Sequence, residues 1–354
     1  MAKLESIQVL RAVAATMVVL FHTKTYAQGY AGVDIFFVIS GFIMGTVGTQ
    51  ETPAGFFRQR LIRIAPLYWT MTLIMCGLSL IPHFFRNFTF DAESLIKSIL
   101  FIPYIDQTGH VWPLVIAGWT LNYEMFFYLV FTLGLVLGRP RLFSSSLMLL
   151  LIVAGFVIAK DGAFARTYTD PILLEFVAGM ALSALGPLGG DRLGFLQLII
   201  GAGAFVVIGT MGLDPGDGVP RLIFLGLPSL LLVSGALAVE RAGHWPRLPL
   251  AIILGDASYS LYLTHGFVVS AAEKFSPLHS TLNAVIVLLV SCIAAILCYR
   301  LFELPLTRLL RRSNFHGLVM AQPSDTAGTA ATTTIAPAAK VDQRAHREQS
   351  VEPL

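Results

Sequence analysis

The chain reads as an all-α polytopic membrane protein, a bundle of about ten transmembrane helices, on three observations. Its composition is 55% hydrophobic and 13% charged, about half the charge of an ordinary soluble domain, with a mean hydropathy of +0.73. Apolar runs of spanning length recur at 7–24, 33–49, 62–82, 117–137, 142–159, 171–186, 194–212, 220–239, 250–271 and 282–306. Cationic residues also alternate between the connections. Lys3, Arg58/Arg60/Arg63, Arg139/Arg141, Arg192, Arg241/Arg247 and Arg308/Arg311/Arg312 make a richer set than Lys24, Arg86/Lys97, Lys160/Arg166, Arg221 and Lys274. That bias predicts both termini on the cytoplasmic side. The net charge of +3 is spread out, with no basic block that would suggest nucleic acid. Cys76, Cys292 and Cys298 lie in apolar stretches without metal-ligand spacing, so they read as core thiols and no metal is expected.

The first run carries Arg11 and His22, and an ionisable group inside a membrane span is a functional-site hypothesis by default. Eleven positions at about 100° each make roughly three turns, so both side chains lie on one stripe, about 16 Å apart along the axis. The arrangement offers a fixed cation toward one side of the membrane and a general base toward the other. Because Arg11 interrupts the stretch and no small-residue cleavage site follows, a signal peptide is not expected.

Asp34 opens the second run, in a string that continues through Ser40 to Phe42. Its carboxylate either orients an imidazole or caps the helix. Arg58–Pro66 leads into the third run. It is either a positive-inside stop or, through Arg60 and Arg63 three apart on one face, a clamp for phosphates. Residues 95–105 suit a re-entrant or interfacial piece. In Trp119–Tyr128, Glu124 lies about a turn into its helix among aromatics; it either carries out a task that offsets its burial or pairs with a lysine at the interface. The four runs between 142 and 239 add no candidate. Ser258–His265 places Tyr259 and His265 on the ninth run, and Glu303 ends the tenth, where Arg300 or the Arg58–Arg63 run would pair with it. From 313 to 354 the chain is rich in Ala, Thr and Pro with almost no aromatics, the composition of a disordered cytoplasmic tail. Chemistry is therefore expected within the membrane domain, 1–312.

Taken in order, these strings resemble the membrane-bound acyltransferase-3 family. They are Arg11 with His22, Asp34–Phe42, Arg60-x-x-Arg63-Ile64-x-Pro66, Trp119–Tyr128, Ser258–His265 and Glu303-x-Pro305. Six pieces in the correct order, from Leu4 to Arg312, make the resemblance specific. It implies a bacterial inner-membrane O-acyltransferase that moves an acyl group, usually acetyl, from cytoplasmic acetyl-CoA or another acyl-CoA to a hydroxyl of an exopolysaccharide or O-antigen glycan. Membrane lipids and proteins of polysaccharide synthesis are the implied company. The family's paired Arg and His fall on Arg11 and His22, and its Arg-x-x-Arg on Arg60 and Arg63. The catalytic assignment is then His22, Asp34 and Glu124, the donor assignment Arg11, Arg60 and Arg63, with Ser40, Tyr259, His265 and Glu303 as further candidates. Some relatives carry an added esterase-like domain, which is not expected here. Paired intramembrane ions also mark transport paths, so a flippase for a glycan or lipid-linked sugar is the rival reading, and a non-catalytic subunit of a synthesis complex the third.

Overall fold

A computed structural model describes residues 4–81, 89–275 and 281–319. Among them all the regular secondary structure is helical, with no strand. Eight helical segments are long and apolar enough to cross a membrane, and the ten expected runs all fall on helices. Two of the ten are not among them, one for its length and one because its apolar run is split and its longer half is more polar. Helix α6 (Pro140–Ala154) has 15 residues. The run 250–271 is broken at Ala257 into α12 (Pro249–Asp256) and α13 (Ser258–Phe275). Residues 1–313 form one compact unit; of the unit 314–354 only the end of a helix is described. Of the tail expected over 313–354, residues 313–319 continue the last helix and the rest lies outside the described residues.

The chain begins with α1 (Glu5–His22), whose first amides have no local cap. Glu240 supplies one from a distant helix, accepting from the Glu5 amide at 2.7 Å and the Ser6 amide at 3.2 Å, as the unpaired donors of a helix start require. Helix α2 (Gly32–Thr46) is buried along most of its length. It packs along α8 (Leu173–Leu185), and the contact needs glycine. A Cβ on Gly41 would meet the Phe176 carbonyl at 2.1 Å, and one on Gly179 the Val38 carbonyl at 2.1 Å. Small residues that admit close backbones are what bind helices in lipid, where burial of apolar surface gives no driving force.

Helix α3 (Pro53–Ser79) starts nine residues before the apolar run that announced it. Thr52 accepts from the Gly55 amide at 3.2 Å and Pro53 takes the first helical position, a strong start signal. Arg58, Arg60 and Arg63 therefore sit within a helix and not in a connection. Helix α4 (Ala92–Ile99) is two turns long, closed by a capping box between Asp91 and Ser94. With Ile96 and Leu100 exposed, it fits the interfacial reading. Helix α5 (Trp119–Val136) packs on α3 and α6, and the short α7 (Ala163–Tyr168) precedes α8. Helix α9 (Asp191–Met211) runs beside α11 (Leu227–Arg241). The single turn α10 (Val219–Arg221) joins α11 through a π-helical turn, Leu222–Gly226. Helix α14 (Thr281–Cys298) likewise joins α15 (Leu304–Val319) through a π-helical turn, Tyr299–Glu303.

The two largest clusters of the core share α2. One gathers Phe37, Phe56, Phe127, Phe131 and Phe176 from α2, α3, α5 and α8. The other gathers Leu10, Ile35, Ile39, Phe205, Leu232 and Val233 from α1, α2, α9 and α11. The outermost helices expose apolar side chains, Leu282, Leu289 and Ile293 on α14 among them, the inverse of a soluble surface and suited to lipid.

Candidate active site

Helices α1, α2, α3, α5 and α13 enclose a cavity of about 230 Å³. Six residues singled out in the sequence line it together: Arg11, Ser40, Arg60, Arg63, Glu124 and Tyr259. Arg11 reaches it because Gly255 lets α12 close onto α1, where a Cβ would lie 2.0 Å from the Gln8 carbonyl oxygen. The helix break at Ala257 then presents Ser258, whose Oγ accepts from Arg11 Nε at 3.1 Å. Arg60 pairs with Glu51 at 2.7 Å and lies over the Phe56 ring. Arg63 lies 3.7 Å from Glu303, whose other oxygen accepts from Ser260 Oγ at 2.6 Å. Of the two partners expected for Glu303, the α3 arginine run is the one it meets. Tyr259 ties α13 to α3 by donating to the Ile64 carbonyl at 2.6 Å. Glu124 accepts on one oxygen from both Ser40 Oγ and Tyr128 OH, each at 2.5 Å. Its place is the wall of this arginine cavity, away from any interfacial lysine.

His22 lies elsewhere. It lines a separate, mostly apolar groove of about 790 Å³ with Phe21, Leu263 and His265. The rings of His22 and His265 meet edge to face at 4.8 Å. His22 Nδ1 lies 2.9 Å from the Val18 carbonyl and His265 Nδ1 3.2 Å from that of Leu261. A carbonyl only accepts, so Nδ1 carries a hydrogen in both rings, and Nε2 is the nitrogen left to accept a proton when the ring is neutral. That is the form a general base needs. Between cavity and groove stands Tyr262. It lines the cavity, accepts from Thr120 Oγ1 at 3.0 Å, and its ring lies 6.1 Å from that of His265.

Asp34 corrects an expectation. Its carboxylate, fully buried, is held by Arg221 through two bonds, Nε at 3.1 Å and Nη2 at 2.9 Å. It neither orients His22 nor caps α2, whose start has no side-chain cap bond. Arg221 had counted only as a connection cation. In the fold it is buried, and its guanidinium faces the rings of Tyr30 and Trp119.

A family model described as an acyltransferase domain matches residues 4–300. The chain belongs to the acyltransferase-3 family. Among curated relatives, this acyltransferase is 41% identical to the exopolysaccharide production protein ExoZ of Rhizobium meliloti, over 72% of this chain and 83% of that one. It is 27% identical to the protein BcsY of Komagataeibacter xylinus, over 83% and 80% of the two chains. It is 26% identical to the O-acetyltransferase OatA of Staphylococcus aureus, over 84% of this chain and 56% of that longer one. No solved structure matches it.

The acyltransferase is thus a multi-pass membrane enzyme, and among its described residues no cluster of three or more His, Cys, Asp or Glu is placed to hold a metal. Its sequence understated four site residues. Ser258 and Thr120 are ordinary-looking hydroxyls within quoted strings, and Tyr262 is one aromatic among many. Arg221 had one usable signal, a lone cation just inside the start of the apolar run 220–239. Both π-helical turns of the described chain adjoin a buried carboxylate paired with an arginine, Asp34 with Arg221 and Glu303 with Arg63. Such turns insert a residue and re-aim side chains, and they recur at functional sites.

Proposed function

We propose that the enzyme transfers an acyl group, acetyl first among the candidates, from acyl-CoA to a hydroxyl of a cell-surface or extracellular glycan. The observation that carries this reading is the convergence of Arg11, Arg60 and Arg63 on one cavity inside the membrane bundle. Three guanidiniums line the cavity against one carboxylate, Glu124, and phosphate is a favoured ligand of the arginine fork. The loop charges favour the arginine end as cytoplasmic, in a bacterial inner membrane. A CoA nucleotide would then dock at the mouth by Arg60 and Arg63, with its pantetheine arm in the cavity. The names of ExoZ and OatA support a glycan acceptor and an acetyl group.

In the step, the acceptor oxygen attacks the thioester carbonyl while its proton passes to His22 Nε2. The C–S bond then breaks, the ester forms, and the imidazolium returns the proton to the departing thiolate. His265 supports the His22 ring from the side. Glu124 sets the charge of the cavity opposite Arg11. The Asp34–Arg221 pair holds the histidine end of α2 in place. Tyr262 must yield for the acyl arm to reach His22.

The test is purified protein with radiolabelled acetyl-CoA and de-esterified surface glycan from the cells that carry the gene. Label should move to the glycan in wild type and not in His22→Ala. Movement of glycan across vesicles without thioester cleavage would overturn the reading in favour of transport.

A further inference from the structure

A third cavity, of about 290 Å³, opens beside α5 on the face away from the arginine cavity. Trp119, Asn122 and Tyr123 line it, whereas Thr120, Leu121 and Glu124 line the other. It belongs to the histidine end. The segment joining α4 to α5 separates it from the His22 groove, with Val115–Ala117 facing the groove and Gly109–Trp112 facing this cavity.

Its walls have a particular chemistry. Trp112 lies flat on His110, ring centroids 4.1 Å apart, and Trp119 lies under the Arg221 guanidinium. The Asn122 side chain is 3% exposed and makes no hydrogen bond to any described residue. It lines this space. A buried amide holds two donors and an acceptor that need partners, so its setting points to a polar ligand. Asp170 and Asp217 stand in the same wall against Arg166 and Arg221, two carboxylates against two guanidiniums. Arg221 is already paired with Asp34. Such a balance repels a phosphate and suits a neutral polyol. Hydroxyls donate and accept at once, which matches amide, carboxylate and guanidinium together, while indole faces suit the C–H face of a pyranose. The volume falls just short of the range of drug-sized ligand pockets, about 300–1,000 Å³, which limits the occupant to one sugar unit.

We infer that this cavity is an acceptor subsite that binds one neutral sugar unit of the glycan next to the unit being acylated at His22. The inference rests on the proposed glycan acceptor.

The experiment uses the full-length enzyme in detergent and fragments of the de-esterified surface glycan, from one sugar unit to a full repeat. Transfer from acetyl-CoA is followed by label, and binding separately by tryptophan fluorescence. Asn122→Ala and Trp112→Phe should raise KM for the full repeat at least fivefold. Their KM for the single unit and for acetyl-CoA should stay within twofold. Asp170→Asn, which keeps the oxygen that accepts from the Ile172 amide at 2.9 Å, guards against misfolding and should raise the same KM. A KM for the full repeat that stays at the wild-type value in monodisperse variants overturns the subsite, as does an equal change for every fragment length. If wild type transfers to no fragment, the acyltransfer reading fails. Fluorescence then decides the subsite alone: wild type quenched by the full repeat and Asn122→Ala at least fivefold weaker supports it, and no quench overturns it.

Discussion

The arginine cavity and the histidine groove are built in opposite ways. In the cavity, three anchors come from other helices, Ser258 for Arg11, Glu303 for Arg63 and Ser40 for Glu124, while Glu51 just ahead of α3 holds Arg60 and Tyr128 of the same helix adds a second bond to Glu124. In the groove, each imidazole is tied to a carbonyl four residues back on its own helix. A side chain anchored on another helix moves when the packing moves. One anchored on its own backbone keeps its orientation while neighbours shift. On the proposed reading, the charges assigned to the donor polyanion share one interhelical frame, and the imidazoles assigned to proton transfer keep their orientation along the groove.

The widest separation between the regions is expected in His22→Ala. Loss of a general base lowers rates by about 10²–10⁴-fold, and steady-state turnover with acetyl-CoA should fall in that range while CoA affinity by calorimetry stays near wild type. A variant that loses donor affinity and keeps turnover would reverse the assignment of the two regions.

Next in size is the Asp34–Arg221 pair, which lines neither the arginine cavity nor the histidine groove. Arg221→Ala leaves Asp34 buried without its partner, a change that typically costs about 3–5 kcal/mol. Thermal unfolding in detergent should show a large fall in Tm, and Arg221→Lys should recover only part of it because a lysine lacks the two-pronged fork.

Arg63→Ala should weaken CoA binding by about 10–100-fold, as expected for one charge-assisted contact of about 1.5–3 kcal/mol. His22→Ala and Arg63→Ala together should then multiply their separate effects on kcat/KM, since each acts in a different region. A strong departure from that product would mean that the two regions act as one.

The smallest effect expected is in Tyr262→Phe. It removes the bond from Thr120 but keeps the ring between the cavity and the groove, so a stability loss of about 0.5–1.5 kcal/mol and turnover within a few-fold should result. Tyr262→Ala, which removes the ring, should instead change how turnover depends on acyl length, measured with acetyl-, butyryl- and hexanoyl-CoA.

The sequence by itself determined the class of protein, the ten helical runs, and the residues with unusual charge for their surroundings. Those follow from composition and from the cost of ions in lipid, which are local properties of the chain. Arg11, Arg60, Arg63 and Glu124 stood out on those grounds, and they share a cavity. Local pattern failed where a partner decides meaning. Asp34 read equally as an orienter or a cap, and Arg221, 187 positions away, claimed it instead. Arg58–Arg63 read as a connection because apolarity begins later than the helix, whose start rests on Thr52 and Pro53. His22 and Glu124 looked like one acid–base set, yet Tyr262 and the packing of α13 divide them between two compartments. Which side chains meet across helices depends on close approaches such as Gly255 on Gln8 and on the extra residue in each π-helical turn. Such sub-turn rotations leave hydrophobic periodicity almost unchanged and move a side chain from one cavity to another.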